Sequence, residues 1–594
     1  MAAPLQTASI AAPGFYGLNT QESSVTLAAG FALTADNCVI DKYGRLGARK
    51  GWFYYTESLD GVDGNNEGVN LKGAHEFIDI NGDRYFGCWS DTDFYIASGS
   101  ALTSVTYSGN NTITTDGWQA ATLNDAAYLF QRDYEPIYFS PTSGILDDIR
   151  NVTLDHVVTI TSSATTATVT HTAHGFSTGQ EVTISGATQT EYNGTFNVTV
   201  TGTNTYTYTL PNSTSSPATG TITATWPRSI PPQANTVLSA YGRLWVADTL
   251  DNKTTVYWSD LLDGTIWDSG TAGSIDLSAV LVNGNDEIVA LGAHAGRLII
   301  FCKDHVVIYG DNNSGDALDP ANMSLVEVIS NVGCISRDTV QNTGTDIVFL
   351  SRTGVMSLGR LIQEKSQPFR DLSKNIRDDL VQAVNGTDPS TIKAVYAASE
   401  AFYLLLLPAY QRIYCFDMRT QLQDGAARVT VWDNQTHTSM IEKYDAQTGK
   451  YDLYFTNADG IAEYGGYSDN NAGYAMRYYT NFMDFGDATR TKYMKRLSIT
   501  LIGGSGQLMF LKTGYDYSDT YNSYTVTLND QANAEYGVSE YNIAEYTIGT
   551  LVDTIRESVG GGGNIIQAGF EATINGAQLS VQKLDLYIKQ GRIY

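Results

Sequence analysis

Apolar residues along this chain fall in short runs, each broken by a few turn-forming residues. One unit recurs: an aromatic or aliphatic strand, a brief polar or glycine-bearing turn, then a second strand of small or aromatic residues. It reads RYFGCWSDTDFYIASG from Arg84, AAYLFQRDYEPIYFSP from Ala126, GRLWVADTLDNKTTVYWSD from Gly242 and GRLIIFCKDHVVIYGD from Gly296. It returns as DIVFLSRTGVMSLG from Asp346, AFYLLLLPAYQRIYCFD from Ala401 and YDLYFTNADGIAEYGG from Tyr451. With so few residues between the runs, each copy predicts a β-hairpin. Successive copies start roughly 40 to 55 residues apart, with one gap of about 115 between the second and third. A hairpin-bearing unit at that period predicts a β-propeller, because a blade buries both faces only by packing against its neighbours. A row of β-sandwiches would also repeat hairpins and is the competing architecture.

The long gap has a different texture. From about Asp155 to Thr225 threonine alternates with apolar residues, as in EVTISGATQTEYNGTFNVTVTGTNTYTYTL. Removing these ~70 residues restores the period, which predicts an independent small β-barrel inserted in a loop between blades. Strict alternation predicts one buried face per strand, and Pro227, Pro231 and Pro232 would stiffen the return. One helix is predicted between Gln367 and Asn385. There Leu372, Ile376, Leu380 and Val384 fall four apart on one face, with Asp371 or Ser373 as its cap. Beyond Gly473 come longer strands with cations at Arg490, Lys492, Lys495 and Arg496, a Tyr-rich stretch, and GGGGN at 560–564. The expected fold class is all-β. It comprises an extended lead-in segment over 1–60, a β-propeller over 61–154 and 226–472, an inserted small β-barrel domain over 155–225, and a C-terminal β platform domain over 473–594.

Composition supports that reading. The 38 Tyr and 56 Gly against 13 Pro favour pleated strands joined by turns, and 594 residues exceed what one core holds together. With 36 basic and 63 acidic residues, the net charge is -27. Such a surface repels phosphate, so sequence reading or genome packing is not expected, whereas letting DNA slide past is compatible. Cys38, Cys88, Cys302, Cys334 and Cys415 are odd in number and scattered, and read as buried free thiols. No basic segment followed by an apolar run opens the chain. The apolar run around Phe402 to Leu407 is far short of the ~20 residues of a membrane span.

DINGD (Asp79, Asn81, Asp83) opens like a calcium loop, but Ser90 stands where a bidentate Glu is needed, and a hairpin turn explains it equally. The stretch DGVDGNNEG at 60–68 reads as a solvated acidic loop. His171 and His174 form H-x-x-H in an extended segment with no further ligand at a metal-binding spacing. SDLLDGTIWD (Ser259 to Asp268) approaches the Asp-box turn of sialidases, with the Trp displaced. The arginines at plausible blade positions, Arg243, Arg297 and Arg337, are too few for the usual carboxylate clamp. No phosphate loop, nucleophile elbow or zinc-protease motif is present. Neither catalytic, cofactor-binding nor metal-binding residues are nominated, and no enzymatic activity is expected.

Three segments together resemble a family. DNCVIDKYGRLGARKGW carries Asn37, Asp41, Gly44, Leu46, Arg49 and Gly51; YGRLWVAD leads to VYWSDLLDGTIWD; and GRLIIFCKDHVVIYG is followed by NVGCISRDTVQNTGTDIVFLSRTGVMSLG. They resemble the tail hub or nozzle proteins of short-tailed bacteriophages, the tail tubular protein B type, over about 1–60 and 226–465. HGFSTGQEVTISGA and YNGTFNVT resemble a small β-barrel module common in phage tail proteins, which shares its shape with a domain of ubiquitin-activating enzymes. The resemblance implies a structural virion protein, made in the host cytoplasm, that extends the portal-adaptor channel, retains the genome and conducts DNA during ejection. It further implies a six-fold homo-oligomeric ring below the adaptor protein, fibres or spikes at its periphery, DNA passing without specific binding, and no membrane insertion. Two rivals stand beside it. One is a receptor- or glycan-binding propeller using Trp245, Trp258 and Trp267; the other is a polysaccharide-degrading tailspike, which predicts a parallel β-helix instead of hairpins.

Overall fold

The computed structural model describes residues 5–591 apart from 56–68, 99–100, 110, 116, 142–143, 152–155, 173, 227–229, 282–285, 312–317, 365–370, 447, 505 and 529–551. The acidic stretch at 60–68 and Pro227 lie outside the described residues. The chain is all-β, built largely of four-stranded antiparallel sheets of the kind found in β-propeller blades. Seven successive antiparallel meanders occur among the described residues, and the predicted hairpin forms the heart of each. Arg84–Trp89 pairs with Phe94–Ser98, Ala126–Phe130 with Ile137–Ser140, and Arg243–Thr249 with Thr255–Trp258. Arg297–Cys302 pairs with His305–Asp311, Ile347–Ser351 with Gly354–Ser357, Phe402–Leu407 with Arg412–Asp417, and Lys450–Asn457 with Gly460–Tyr464. Among the described residues no helix is long and apolar enough to cross a membrane.

The chain divides into two compact units, residues 75–98 with 102–337, and residues 1–74 with 99–101 and 338–594. The first unit holds meander I, over 73–105 except for residues 73–74 and 99–101, and meanders II to IV, over 119–148, 234–276 and 288–330. The first strands of meanders II, III and IV (Gln119–Leu123, Ala234–Ala240 and Ile288–His294) lie side by side. Each junction has its own core. Phe77, Trp89, Phe94, Leu129 and Phe139 fill that between I and II, Leu123, Phe130, Val237 and Leu244 that between II and III, and Trp245, Leu291, Leu298 and Ile300 that between III and IV. Inner strands covered on both faces need continuous apolar sequence. The outermost strand of IV, Met323–Ser330, leaves Leu325 and Val326 exposed.

Between meanders II and III, residues 156–225 form two four-stranded sheets around a common core of Ile160, Val169, Val182, Ile184, Tyr206, Tyr208 and Ala224. In Thr205–Thr209 the tyrosines point inward and the threonines outward, the two-residue period of a strand with one buried face. The hydroxyls pair across strands on the outside, as between Thr183 and Thr195 at 2.9 Å.

The second unit holds meanders V to VII, over 341–357, 393–432 and 439–464, again with their first strands adjacent. The last strand of meander VII is Trp52–Tyr54, from the opposite end of the sequence. N-terminal residues also extend meander VI. Its final strand, Arg428–Trp432, pairs in parallel with Gly17–Leu18 and touches Phe31–Asp36. Tyr474–Thr480, Ile566–Ile574, Leu508–Tyr515 and Asn522–Thr527 follow, giving one ladder of ten strands. A second sheet sets Leu5–Ala11 against Leu579–Gln590, then Lys492–Gly503, then Val552–Glu557.

The predicted helix is shorter than its periodicity implied, running Arg377–Asn385 after a 3-10 turn at Lys374–Ile376. Leu372, Ile376, Leu380 and Val384 are buried together as expected. Neither proposed cap serves the helix, because both side chains are engaged elsewhere. Asp371 accepts from Ser373 Oγ at 3.0 Å and Arg377 Nε at 2.9 Å, while Ser373 Oγ accepts the Val355 amide at 3.0 Å.

Arg49 ties the second unit together. Its guanidinium is 1 % exposed and grips Asp469 through two hydrogen bonds of 2.6 and 2.8 Å, and its Nε donates to Asn37 Oδ1 at 2.9 Å. Asn37 sits at φ 53°, a conformation Asn tolerates better than most residues. Its carboxamide also accepts from the Asp433 amide and donates to Ala475 O, so meander VI and the C-terminal strands meet at one side chain. Burial alone would lower the Arg49 pKa, but the hydrogen bonds and charge of Asp469 outweigh it and hold the group charged. Removing one partner strands a buried charge, which costs about 3–5 kcal/mol. Arg49→Ala is therefore expected to destabilise the full chain by that amount in thermal or denaturant unfolding. Arg49→Ala/Asp469→Ala should cost clearly less than the sum of the two single changes.

Candidate functional site

The motifs discussed above form local turns and core contacts. In DINGD, Asp79 Oδ1 accepts the amides of Asn81 and Asp83 at 2.9 and 2.8 Å, closing a hairpin turn on itself. In the segment approaching an Asp-box, Asp263 Oδ1 accepts from the amide and hydroxyl of Thr265, and Trp267 donates to Gly264 O while packing on Phe130. Trp245 and Trp258 are buried, and their indole N–H groups donate to Ala240 O and Thr271 O at 3.0 Å. These three rings are core and turn residues, not an open stacking platform for sugars. Arg243 is buried on Ser259 O and Thr271, Arg337 holds Asn235 and Gly117 O, and Arg297 is exposed, so the three do not converge. All five cysteines are free and buried.

The histidines differ most from expectation. His156, which the H-x-x-H pattern does not include, joins His171 and His174 in the 156–225 module, with ring centroids 5.3 Å (His156–His171) and 6.0 Å (His171–His174) apart, beside Phe176, Tyr206 and Trp226. His174 Nε2 lies 3.0 Å from Gly202 O and its Nδ1 accepts the Phe176 amide at 3.0 Å, so both ring nitrogens are occupied. That disqualifies His174 as a metal ligand. Among the described residues no group of three or more His, Cys, Asp or Glu side chains is placed to hold a metal ion.

Two clefts open in the second unit. One, of about 470 Å³, lies where the first strands of meanders V, VI and VII converge, with Asn342, Tyr396, Ile441 and Glu442 on its walls. Glu442 accepts the Ala398 amide there, and burial, then Asp452, holds its carboxyl above the usual range. The other, of about 380 Å³, lies between the Arg377–Asn385 helix and the strands carrying Asp36, Arg412 and Tyr414. Asp36 has its pKa raised to about 6, first by burial and then by Asp433, against the weaker pull of Arg477 and Arg412.

The most distinctive chemistry is on the C-terminal sheet. Residues directly opposite across strands share a face. Lys589 stands opposite Tyr493, Tyr587 opposite Arg496, Lys583 opposite Thr500, and both Asp585 and Arg556 opposite Ser498. A bulge between Met494 and Arg496 adds Lys495. The reverse face carries Met494, Leu497, Ile499, Leu584 and Leu586, all buried. An acidic chain thus presents one face with five cations, Lys495, Arg496, Arg556, Lys583 and Lys589, two tyrosines and a single carboxylate. Tyr493 is 47 % exposed, and Lys495 and Arg496 lie 5.7 and 5.8 Å from the ring centroids of Tyr493 and Tyr587. Of the four cations noticed in sequence, only Lys495 and Arg496 belong here. Arg490 pairs with Asp487 at 2.9 Å, and the Lys492 side chain is buried, donating to Asn564 O at 2.7 Å. Strand register was the missing signal: Arg556, Lys583 and Lys589 are distant in sequence and meet the others only through it.

No family model matches the chain, and no curated protein matches it. Among solved structures it is similar to the computationally designed Ika8 protein, at 10% identity and a TM-score of 0.32, over 70% of this chain and 98% of that one. It is also similar to BamB from Moraxella catarrhalis, at 9% identity and a TM-score of 0.29, over 78% and 97% of the two chains.

Buried titratable groups give the stability a defined pH dependence. His437 is stacked on Phe455 at 4.1 Å, and burial, then Arg49, pushes its pKa down to about 3, while burial pushes His75 down to about 4. Both stay neutral in the folded state where the unfolded chain protonates, so stability falls as pH drops below ~6.5. Asp36 acts in the opposite sense: its raised pKa means that ionisation costs stability as pH rises from ~4 to about 6, and the cost is constant above. Melting curves from pH 4 to 8 are expected to show a flattened acid limb for His437→Phe. Asp36→Asn is expected to gain on the order of 1–3 kcal/mol at pH 7, a gain that vanishes near pH 4.

Proposed function

We propose that this chain is a structural subunit of the tail tube or nozzle of a short-tailed bacteriophage, acting as a homo-oligomeric ring that extends the portal-adaptor channel and conducts the genome. The observation that carries the reading is the ten-stranded ladder in which Gly17–Leu18 and Phe31–Asp36 join meander VI to the C-terminal strands. A hydrogen-bonded ladder transmits force through many main-chain bonds at once, as a conduit under genome pressure requires. The module at 156–225, with a core of its own, is a natural place for a neighbouring tail protein to attach without disturbing the meanders. The glycan-binding reading loses support, since its tryptophans Trp245 and Trp258 are buried with their N–H groups satisfied.

Native mass measurement and electron microscopy of the purified protein test this directly. The expected outcome is a closed ring of identical subunits, six-fold by the family resemblance, with no measurable affinity for duplex DNA at physiological salt. A persistent monomer, or tight salt-sensitive DNA binding by the assembled ring, would overturn it.

A further inference from the structure

We infer that the cationic face of the C-terminal sheet is a docking surface for a second copy of this chain, seated through an acidic part of that copy's surface. The inference rests on the ring reading above and names which face makes the contact. Three observations carry it.

The first is charge. Five cations against Asp585 give the face +4, which leaves -31 on the rest of a chain whose total is -27. The ion pair on the face joins Lys583 to Asp585 at 2.9 Å. Among the described residues Lys495, Arg496, Arg556 and Lys589 have no carboxylate at ion-pair distance. A second copy is a partner whose excess of negative charge this sequence itself supplies.

The second is shape and size. Four strands of 7, 12, 12 and 6 residues build the face. At ~3.3 Å per residue and ~4.8 Å between strands they span roughly 600 Å², close to the ~800 Å² that each partner buries in a standard interface.

The third is composition. Tyr493 and Tyr587 interleave with Arg496 and Arg556, and tyrosine and arginine are among the residues enriched in protein interfaces. The centre of the face holds the Asp585 carboxylate, buried beside Ser498 and paired with Lys583; it disfavours phosphate there, while a protein partner can supply both signs around it. Because the cationic face is not self-complementary, the contact is head-to-tail, the geometry from which rings close.

The test uses the full chain. Sedimentation velocity at about 50, 150 and 500 mM salt compares the wild type, Lys495→Glu/Arg496→Glu/Arg556→Glu, and the neutral Lys495→Gln/Arg496→Gln/Arg556→Gln. Thermal melts verify folding, and the single change Lys495→Glu at the exposed bulge position serves if the triple variants lose stability. The wild type is expected to assemble most tightly at low salt and to loosen as screening increases. Charge reversal should weaken assembly by roughly tenfold or more at 150 mM, with the neutral variant intermediate. If the folded reversal variants assemble like wild type, the docking face is wrong while the ring reading stands. A wild type that stays monomeric at every salt concentration overturns both. Fluorescence anisotropy with duplex DNA supplies the remaining arm: if charge reversal abolishes DNA binding and leaves assembly intact, the face belongs to nucleic acid and the inference is overturned.

Discussion

The buried bidentate pair between Arg49 and Asp469 is the constraint on which the second unit depends. A guanidinium removed from water is tolerable only when its donors are answered, and here they are answered by a turn at 469, by Asn37 and by the Lys50 carbonyl. The same Asn37 carboxamide reaches the amide of Asp433 and the carbonyl of Ala475. The strand Trp52–Tyr54, which completes meander VII, starts three residues after Arg49 and inherits its position from it. The N-terminal residues are therefore woven into the structure by polar contacts that leave little freedom of register.

Around that node the meanders obey a simple rule. Second strands are covered on both sides, wholly in Ala126–Phe130 and Phe402–Leu407 and over their inner residues in Arg84–Trp89 and Lys450–Asn457, and are largely apolar where covered. The outermost strands face water and can carry charge or function. The features left open to partners lie away from those covered strands: the module between meanders II and III, the two clefts, and the outer face of the C-terminal sheet.

Net charge turns out to be a poor guide to local chemistry. The total of -27 describes the chain, but the register of two twelve-residue strands concentrates cations where the average predicts carboxylates. Interactions between exposed charges fade over about 8 Å at physiological salt, so a neighbour senses the face and not the sum. A surface can thus repel a polyanion at a distance and still hold a specific partner at contact.

Sequence by itself determined the all-β class, the seven hairpins, the alternation of threonine with buried residues in 156–225, and the reduced state of the cysteines, because each is a local property of spacing and residue type. It also placed Leu372, Ile376, Leu380 and Val384 on one buried face, although it overextended the helix, whose supposed caps are drawn into tertiary contacts. Only the tertiary structure decided that His156 meets His171 and His174, that Trp245 and Trp258 are interior, that Trp52–Tyr54 completes a sheet begun near residue 439, and that Lys495 and Arg496 share a face with Arg556, Lys583 and Lys589. All of these join residues from separate strands, and pairing across such separations is set by which register buries the most apolar surface and satisfies the most hydrogen bonds. No window along the chain carries that information.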